Sequence, residues 1–269
     1  MAFRGASADA VAALTGELEA GASSPEVAAQ VADDLFGAAT TLRGEPALRR
    51  FATDASIPAQ AKSGLVGEVF GGKVHQVTEG VLASAVGRRW VAGRDLADAL
   101  EHLGVVAYVK AAGTETDRLA DELFAFAQAV KDNPELRDAL ADPARSAADK
   151  RALISSLLDG KALAVTVALA GQSISGSHRT VAAALTEYQR VVADVQAQGV
   201  ATVRVARPLP DSELDRLASA LSAQYGRPVH LNLLVDPSVL GGIRVEIGDD
   251  VIDGTVASRL DDARRRLVG

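Results

Sequence analysis

The sequence predicts a mainly α-helical chain in three parts: an N-terminal helical bundle, a second, partial copy of it, and a small C-terminal α/β domain. Three observations carry this. Alanine supplies 52 of 269 residues while only ten are aromatic, which favours helices separated by thin side chains. The chain matches itself when shifted by 88 residues. Apolar spacing changes from helical to alternating at Gly199. The expected boundaries are 1–113 for a six-helix bundle, 114–199 for the inserted copy and 200–269 for the α/β domain.

The opening helix is expected over Ala8–Glu19, with Val11 and Leu14 inward. Leu35, Ala38, Ala39 and Leu42 then fall at i, i+3, i+4, i+7, and Leu123, Phe126, Ala127 and Val130 repeat that stripe. Pro46 and Pro134 suit the first turn of the following helix, where a missing N–H costs nothing. Gly71-Gly72 and Asp159-Gly160 end the helix after that. Leu82, Ala85 and Val86 belong to the next one. The last helix of each copy is expected over Asp95–Ala112 and Thr180–Gln198. The opening helix has no counterpart in the second copy, because only the link Ala112–Thr116 separates the two.

The shift of 88 aligns Asp33-Asp-Leu-Phe36 with Asp121-Glu-Leu-Phe124, and Glu45-Pro-Ala-Leu-Arg49 with Asn133-Pro-Glu-Leu-Arg137. From Asp33 to Lys73, 13 of 41 positions are identical, and they include Phe, Pro, Arg, Lys and Gly. Chance matching between alanine-rich segments does not supply those residues. Further on the offset becomes 85, pairing Arg94 with Arg179 and Ala99-Leu100 with Ala184-Leu185.

Beyond Gly199, Val200–Val205 alternates as a half-buried strand does. Asp211 is expected to cap a helix with Leu214, Leu217, Ala218 and Leu221 on one face, stopped by Gly226. Val229–Val235 and Ile243–Ile247 read as strands. Gly248-Asp249-Asp250 reads as a turn into a short strand, Val251-Ile252. Asp253 is expected to cap a last helix running through Leu267, with Val256, Leu260 and Ala263 inward.

With 48% apolar and 23% charged residues the chain is globular. The lack of cysteine excludes thiolate metal sites, disulfides and thiol nucleophiles. A net charge of −7 argues against nucleic acid as a partner. The longest apolar run, Ala162–Gly171, is half the roughly 20 residues a bilayer requires. The N-terminus lacks the apolar core of a signal peptide, so a soluble chain is expected, held at any membrane only indirectly.

No catalytic constellation emerges. Gly67–Val74 approaches a phosphate-binding loop, with Lys73 as its lysine, but Val74 offers no hydroxyl for magnesium and no strand precedes it. A helix end with a cation near the dipole explains Gly72-Lys73 better. His75, His102, His178 and His230 lack ligand spacing. Ser177-His178 lacks the turn of a hydrolase nucleophile. Asp249, Asp250 and Asp253 do not have the spacing of a calcium loop. Arg264-Arg265-Arg266 reads as a solvated helix end. No cofactor and no metal are expected.

The stretch from Asp236-Pro-Ser-Val-Leu-Gly241-Gly242 through Ile252-Asp253-Gly254-Thr to Arg259-Leu260 resembles one family closely. That family is the delta subunit of F-type ATP synthases, with the oligomycin sensitivity-conferring protein as its mitochondrial relative. Gly87-Arg-Arg-Trp-Val-Ala-Gly93-Arg94 is similar to the loop before the last bundle helix in the same family. The extra copy resembles the actinobacterial form, and 22 arginines against six lysines fit a high-GC genome.

The resemblance implies a non-enzymatic component of the peripheral stalk. The N-terminal bundle would bind N-terminal helices of α subunits, and the C-terminal domain would grip the C-terminal helices of separate b subunits. The stalk would thereby resist rotor torque on the cytoplasmic side of the cell membrane. The second copy is expected to bind another α N-terminus or to brace the b helices. Two other readings compete: a generic helical adaptor, and a nucleotide-binding enzyme using Lys73.

Overall fold

The computed structural model describes residues 3–237, 239, 241–247, 250–256, 258, 260, 264 and 265. The chain forms two compact units, Met1–Val192 and Ala193–Gly269. The first holds α1 (Ala6–Gly21), α2 (Pro25–Gly44), α3 (Pro46–Thr53), α4 (Ala59–Phe70), α5 (Gln76–Gly87) and α6 (Asp95–Ala112). A short 3₁₀ turn, Gly113–Glu115, leads into α7 (Thr116–Asp132), α8 (Pro134–Ala141), α9 (Ala147–Leu158), α10 (Ala164–Gln172) and α11 (Val181–Val195).

The duplication is visible in the helix ends. Both α3 and α8, and both α4 and α9, start and stop on residues 88 apart. Pro46 and Pro134 open α3 and α8. Gly72 and Gly160 follow α4 and α9 at φ of 68° and 71°, a left-handed turn that glycine adopts without a Cβ clash. A half-buried clamp is duplicated as well. The Asp34 carboxylate on α2 accepts the His75 N–H (2.7 Å) and the Thr78 hydroxyl (2.9 Å), fixing the first turn of α5. Glu122 on α7 does the same for α10, through the Leu163 N–H (2.8 Å) and the Thr166 hydroxyl (2.5 Å). Each carboxylate satisfies the one N–H of the cap residue, which has no partner within the helix.

Helix α6 holds this unit together. Its run from Leu96 to Val109 is almost wholly buried, the pattern of a helix covered on all sides rather than along one stripe. It packs against α1 and α2 of the first copy and against α7 and α10 of the second. Gly104 lets α2 approach, since a Cβ there would lie 2.8 Å from the Phe36 ring. The second copy needs no opening helix of its own: α6 packs against α10 as α1 packs against α5. One continuous core results, running from Leu14 and Leu35 through Leu100 and Leu103 to Leu123 and Tyr188.

His102 is partly buried on α6, edge-on to Phe3 with ring centroids 5.9 Å apart. Burial, with the Arg190 cation adding to it, lowers its pKa from 6.5 to about 4. The folded chain thus keeps the imidazole neutral where the unfolded chain protonates it. Stability from this group is complete above pH 6.5 and falls as pH drops from 6.5 towards 4, by up to about 3 kcal/mol. Urea unfolding of wild type and His102→Gln at pH 7 and pH 4.5 checks this. The two should lose different amounts on acidification, the wild type more; equal losses would refute it.

The second unit is a four-stranded sheet with one helix. β1 (Gly199–Val205), α12 (Asp211–Tyr225), β2 (Val229–Val235), β3 (Ile243–Ile247) and β4 (Asp250–Asp253) follow in sequence, and the sheet order is β2-β1-β3-β4. β1 and β2 are parallel with Val203 opposite Leu233, and α12 provides the crossover such a pair requires. β3 runs antiparallel to β1, and β4 to β3. The core gathers Ala201, Val203, Val205, Val245 and Ile247 from the inward face of the alternating strands, with Leu221 of α12.

Several local expectations are corrected. Asp211 is the first helical residue of α12, with Pro210 at the cap position, so its carboxylate favours the helix dipole instead of bonding the first N–H. Asp250 and Asp253 lie in β4 rather than in a turn and at a helix cap. Thr255 caps the helical turn that follows, accepting the Ser258 N–H at 3.3 Å. Val256 and Leu260 are 43% and 61% exposed, not inward. Gly248, Asp249, Arg259, Ala263, Arg266 and Leu267 lie outside the described residues.

Candidate functional site

The motif that dominates the C-terminal sequence is built around three glycines. Gly241 and Gly242 take φ of 139° and 84°, a region L side chains rarely enter. A Cβ on Gly242 would sit 2.4 Å from the Gly254 carbonyl oxygen, so two backbone segments cross here at contact distance. The crossing is sealed by Gly254 N–H donating to the Ile243 carbonyl (2.9 Å) and Val256 N–H donating to the Gly241 carbonyl (3.0 Å). Asp236 begins the loop: its N–H donates to Val205 (2.8 Å), and its carboxylate lies 3.7 Å from Arg204. The Asp253 carboxylate accepts the Thr255 N–H (2.9 Å) and hydroxyl (2.7 Å), and these bonds hold its pKa below the usual range. The signature residues Asp236, Gly241, Gly242, Asp253 and Gly254 are therefore positioning residues. They fix the exit of β4 against the entry of β3.

What they position is apolar and uncovered. Val251 (54%), Ile252 (40%), Val256 (43%) and Leu260 (61%) are the large exposed hydrophobics of this stretch. Val256 and Leu260 are four residues apart in helical conformation, so they share a face. β4 is also the sheet edge and is exposed along its whole length. Exposed apolar side chains beside an edge strand mark an interaction surface.

In the first unit, the loop Gly87–Arg94 is held from both sides. Trp90 Nε1 donates to the Ala85 carbonyl (2.9 Å), and Val91 N–H donates to the Ser7 hydroxyl (2.9 Å). Ser7 donates in turn to Asp95 (2.7 Å). The loop presents Val91, 67% exposed. Next to it Glu17 on α1 takes Arg88 of the loop (2.6 Å) and Ser84 of α5 (3.0 Å), clasping α1 to the end of α5.

The alternative sites dissolve. The Lys73 ammonium donates to the Val69 carbonyl at 2.8 Å and closes the end of α4, and its repeat mate Lys161 does the same to Leu157 at 3.1 Å. The segment follows a helix rather than a strand, and Val74 stands where a phosphate-binding loop needs a hydroxyl. Ser177 and His178 lie in the α10–α11 loop, where the Ser177 N–H donates to Glu101 and His178 sits edge-on to Tyr188. Among the described residues no three His, Asp or Glu side chains gather as a metal site.

Sequence reasoning missed the buried Glu101 on α6. It pairs with Arg43 of α2, accepts the Tyr188 hydroxyl of α11 (3.1 Å) and accepts the Ser177 N–H (2.8 Å). Burial and the neighbouring Glu101 raise the Tyr188 pKa, so the phenol stays a donor. The available signal was an acid on the inward stripe of the helix, between Leu100 and Leu103.

Residues 105–267 match the family model for the ATP synthase delta (OSCP) subunit. The match opens inside α6 and takes in the second copy and the α/β unit. Relatives match over nearly the whole length of this chain and of their own. The "ATP synthase subunit delta" of a Nocardioides species is 59% identical, over 99% of this chain and 98% of its own. Those of Kineococcus radiotolerans and Streptomyces avermitilis are 43% and 40% identical, over 95% and 99% of this chain and 100% and 99% of theirs. A chain of the Toxoplasma gondii mitochondrial ATP synthase hexamer aligns over 61% of this chain and 95% of its own, at 22% identity and TM-score 0.34, too weak a likeness to compare in detail. No helix among the described residues is long and apolar enough to cross a membrane. On the full-length matches, the chain belongs to the ATP synthase delta (OSCP) subunit family.

Proposed function

We propose that this chain is the peripheral-stalk component that joins the catalytic head of an F-type ATP synthase to membrane-anchored b subunits, on the cytoplasmic side of the cell membrane. It performs no chemistry; it transmits a restraining torque, so proton flow turns the rotor against a fixed head. The first helical copy, through α1, α5 and the Val91 loop, receives the N-terminal helices of α subunits. The α/β unit receives the C-terminal helices of b subunits on Ile252, Val256 and Leu260. The chain works as the three segments 1–113, 114–199 and 200–269, with 114–199 holding a further α N-terminus or bracing the b helices.

The carrying observation is the uncovered apolar set Ile252, Val256 and Leu260 on a backbone crossing that tolerates only glycine at 242. A rigid mount beneath a sticky surface suits a joint under load, because docking costs little ordering there. The test is Ile252→Glu with Leu260→Glu in the full chain. Binding to a soluble fragment holding the C-terminal helix of b should weaken at least 100-fold, with unchanged melting temperature and unchanged binding to the α/β head. Unaltered b binding would refute the assignment. Loss of head binding alone would reverse it.

A further inference from the structure

The duplication provides an internal control for one cavity. In the first copy, the space between α3, α4 and the start of α6 is nearly closed: about 20 Å³, lined by Leu42, Ala52, Lys62, Val86 and Leu96 among others. Phe51 and Phe70 also line it, and Lys62 is buried with its ammonium on the Asp54 carbonyl (3.0 Å). In the second copy the corresponding space is open, about 320 Å³. Val130, Leu140, Lys150, Ile174 and Val181 stand there at the positions of those five residues.

The sequence explains the opening. At the offset of 88, Phe51 becomes Ala139 and Phe70 becomes Leu158, which removes two rings. The first copy also packs Trp90 against the core from its α5–α6 loop. The matching α10–α11 loop, Ser173–Thr180, carries no Phe, Tyr or Trp, and its one ring, His178, stands in the pocket wall. The lining changes character too. Val130 and Leu140 form a buried apolar floor, while Arg137, Lys150 and Arg179 stand around it. Among the described residues no carboxylate lines the pocket, and Arg137 pairs with the exposed Asp138 outside it at 3.7 Å. Three cations lining one pocket are conspicuous in a chain of net charge −7. The volume falls in the range of small-molecule sites, where an apolar lining is combined with a few directing polar groups.

We propose that the second copy binds a small amphiphilic anion, its apolar body on Val130 and Leu140 and its carboxylate or phosphate head between Arg137, Lys150 and Arg179. The inference stands apart from the stalk assignment. The test is calorimetric titration of the full chain with octanoate and with octyl phosphate, against octanol and octyltrimethylammonium. Saturable one-to-one binding of at least one anion is expected, tenfold or more tighter than either control. The stronger of the two anions identifies the head group as carboxylate or phosphate. Lys150→Ala with Arg179→Ala, neither of them in the core, should weaken binding at least tenfold. Ala182→Trp, at an exposed lining position, should abolish it by filling the pocket while all three cations remain. No saturation up to millimolar anion, equal binding of a control, or indifference to these substitutions would overturn the proposal.

Discussion

Replacing Glu101 by alanine is expected to destabilise the helical unit by about 3–5 kcal/mol, the range for breaking a buried ion pair from one side. The side chain is 2% exposed and serves three partners on separate elements. Its removal leaves the Arg43 guanidinium, 23% exposed, without its closest counter-ion, and takes the Glu101 acceptor from the Tyr188 hydroxyl and the Ser177 N–H. Each such loss costs desolvation that no new bond repays. Glu101→Gln keeps an acceptor and should cost less, and Glu101→Leu with Arg43→Met should cost less than the sum of the singles. Urea unfolding measures all three. A loss below about 1 kcal/mol for Glu101→Ala would show that the cluster contributes little to joining the copies.

Removing residues 114–199 should have a still larger effect, because the first copy is not self-sufficient in this chain. Twelve of the 18 residues of α6 are buried, on all sides of the helix. Deleting α7–α11 bares the faces of α6 that meet α7 and α10, and with them the Glu101 carboxylate. Each large apolar side chain so uncovered forfeits about 1.5–3 kcal/mol, and a few of them exhaust the 5–15 kcal/mol typical of a domain. The deleted chain should bind a hydrophobic dye and lose its sharp unfolding transition. A cooperative transition at the wild-type denaturant midpoint would contradict this. Assembly experiments on the second copy therefore need point substitutions in the intact chain, since a deletion confounds lost contacts with lost folding.

Much was legible in advance for local reasons. Helix ends are set by Pro46, Pro134, Gly72 and Gly160, whose backbone preferences do not depend on what lies across the core. β2 and β3 run over the predicted residues, Val229–Val235 and Ile243–Ile247, because alternation is a property of each strand alone. The glycines of the C-terminal motif were conspicuous as sequence, and the structure supplies the reason at Gly242. Val256 and Leu260 went the other way. Helical spacing says that two apolar residues share a face, but not whether the chain itself covers that face.

The sequence by itself determined the period of each element, the caps that end them, the 88-residue duplication and the family signature, all of which are written in neighbouring residues. Only the tertiary structure decided that α6 serves both copies, that Glu101 ties α2 to α11, and that one of two equivalent cavities closes while the other stays open. Those outcomes depend on which surfaces meet across 50 to 90 residues of chain. They are fixed by volume, by the fate of each buried polar group and by the free energy of excluding water, and none of these is a property of a single segment.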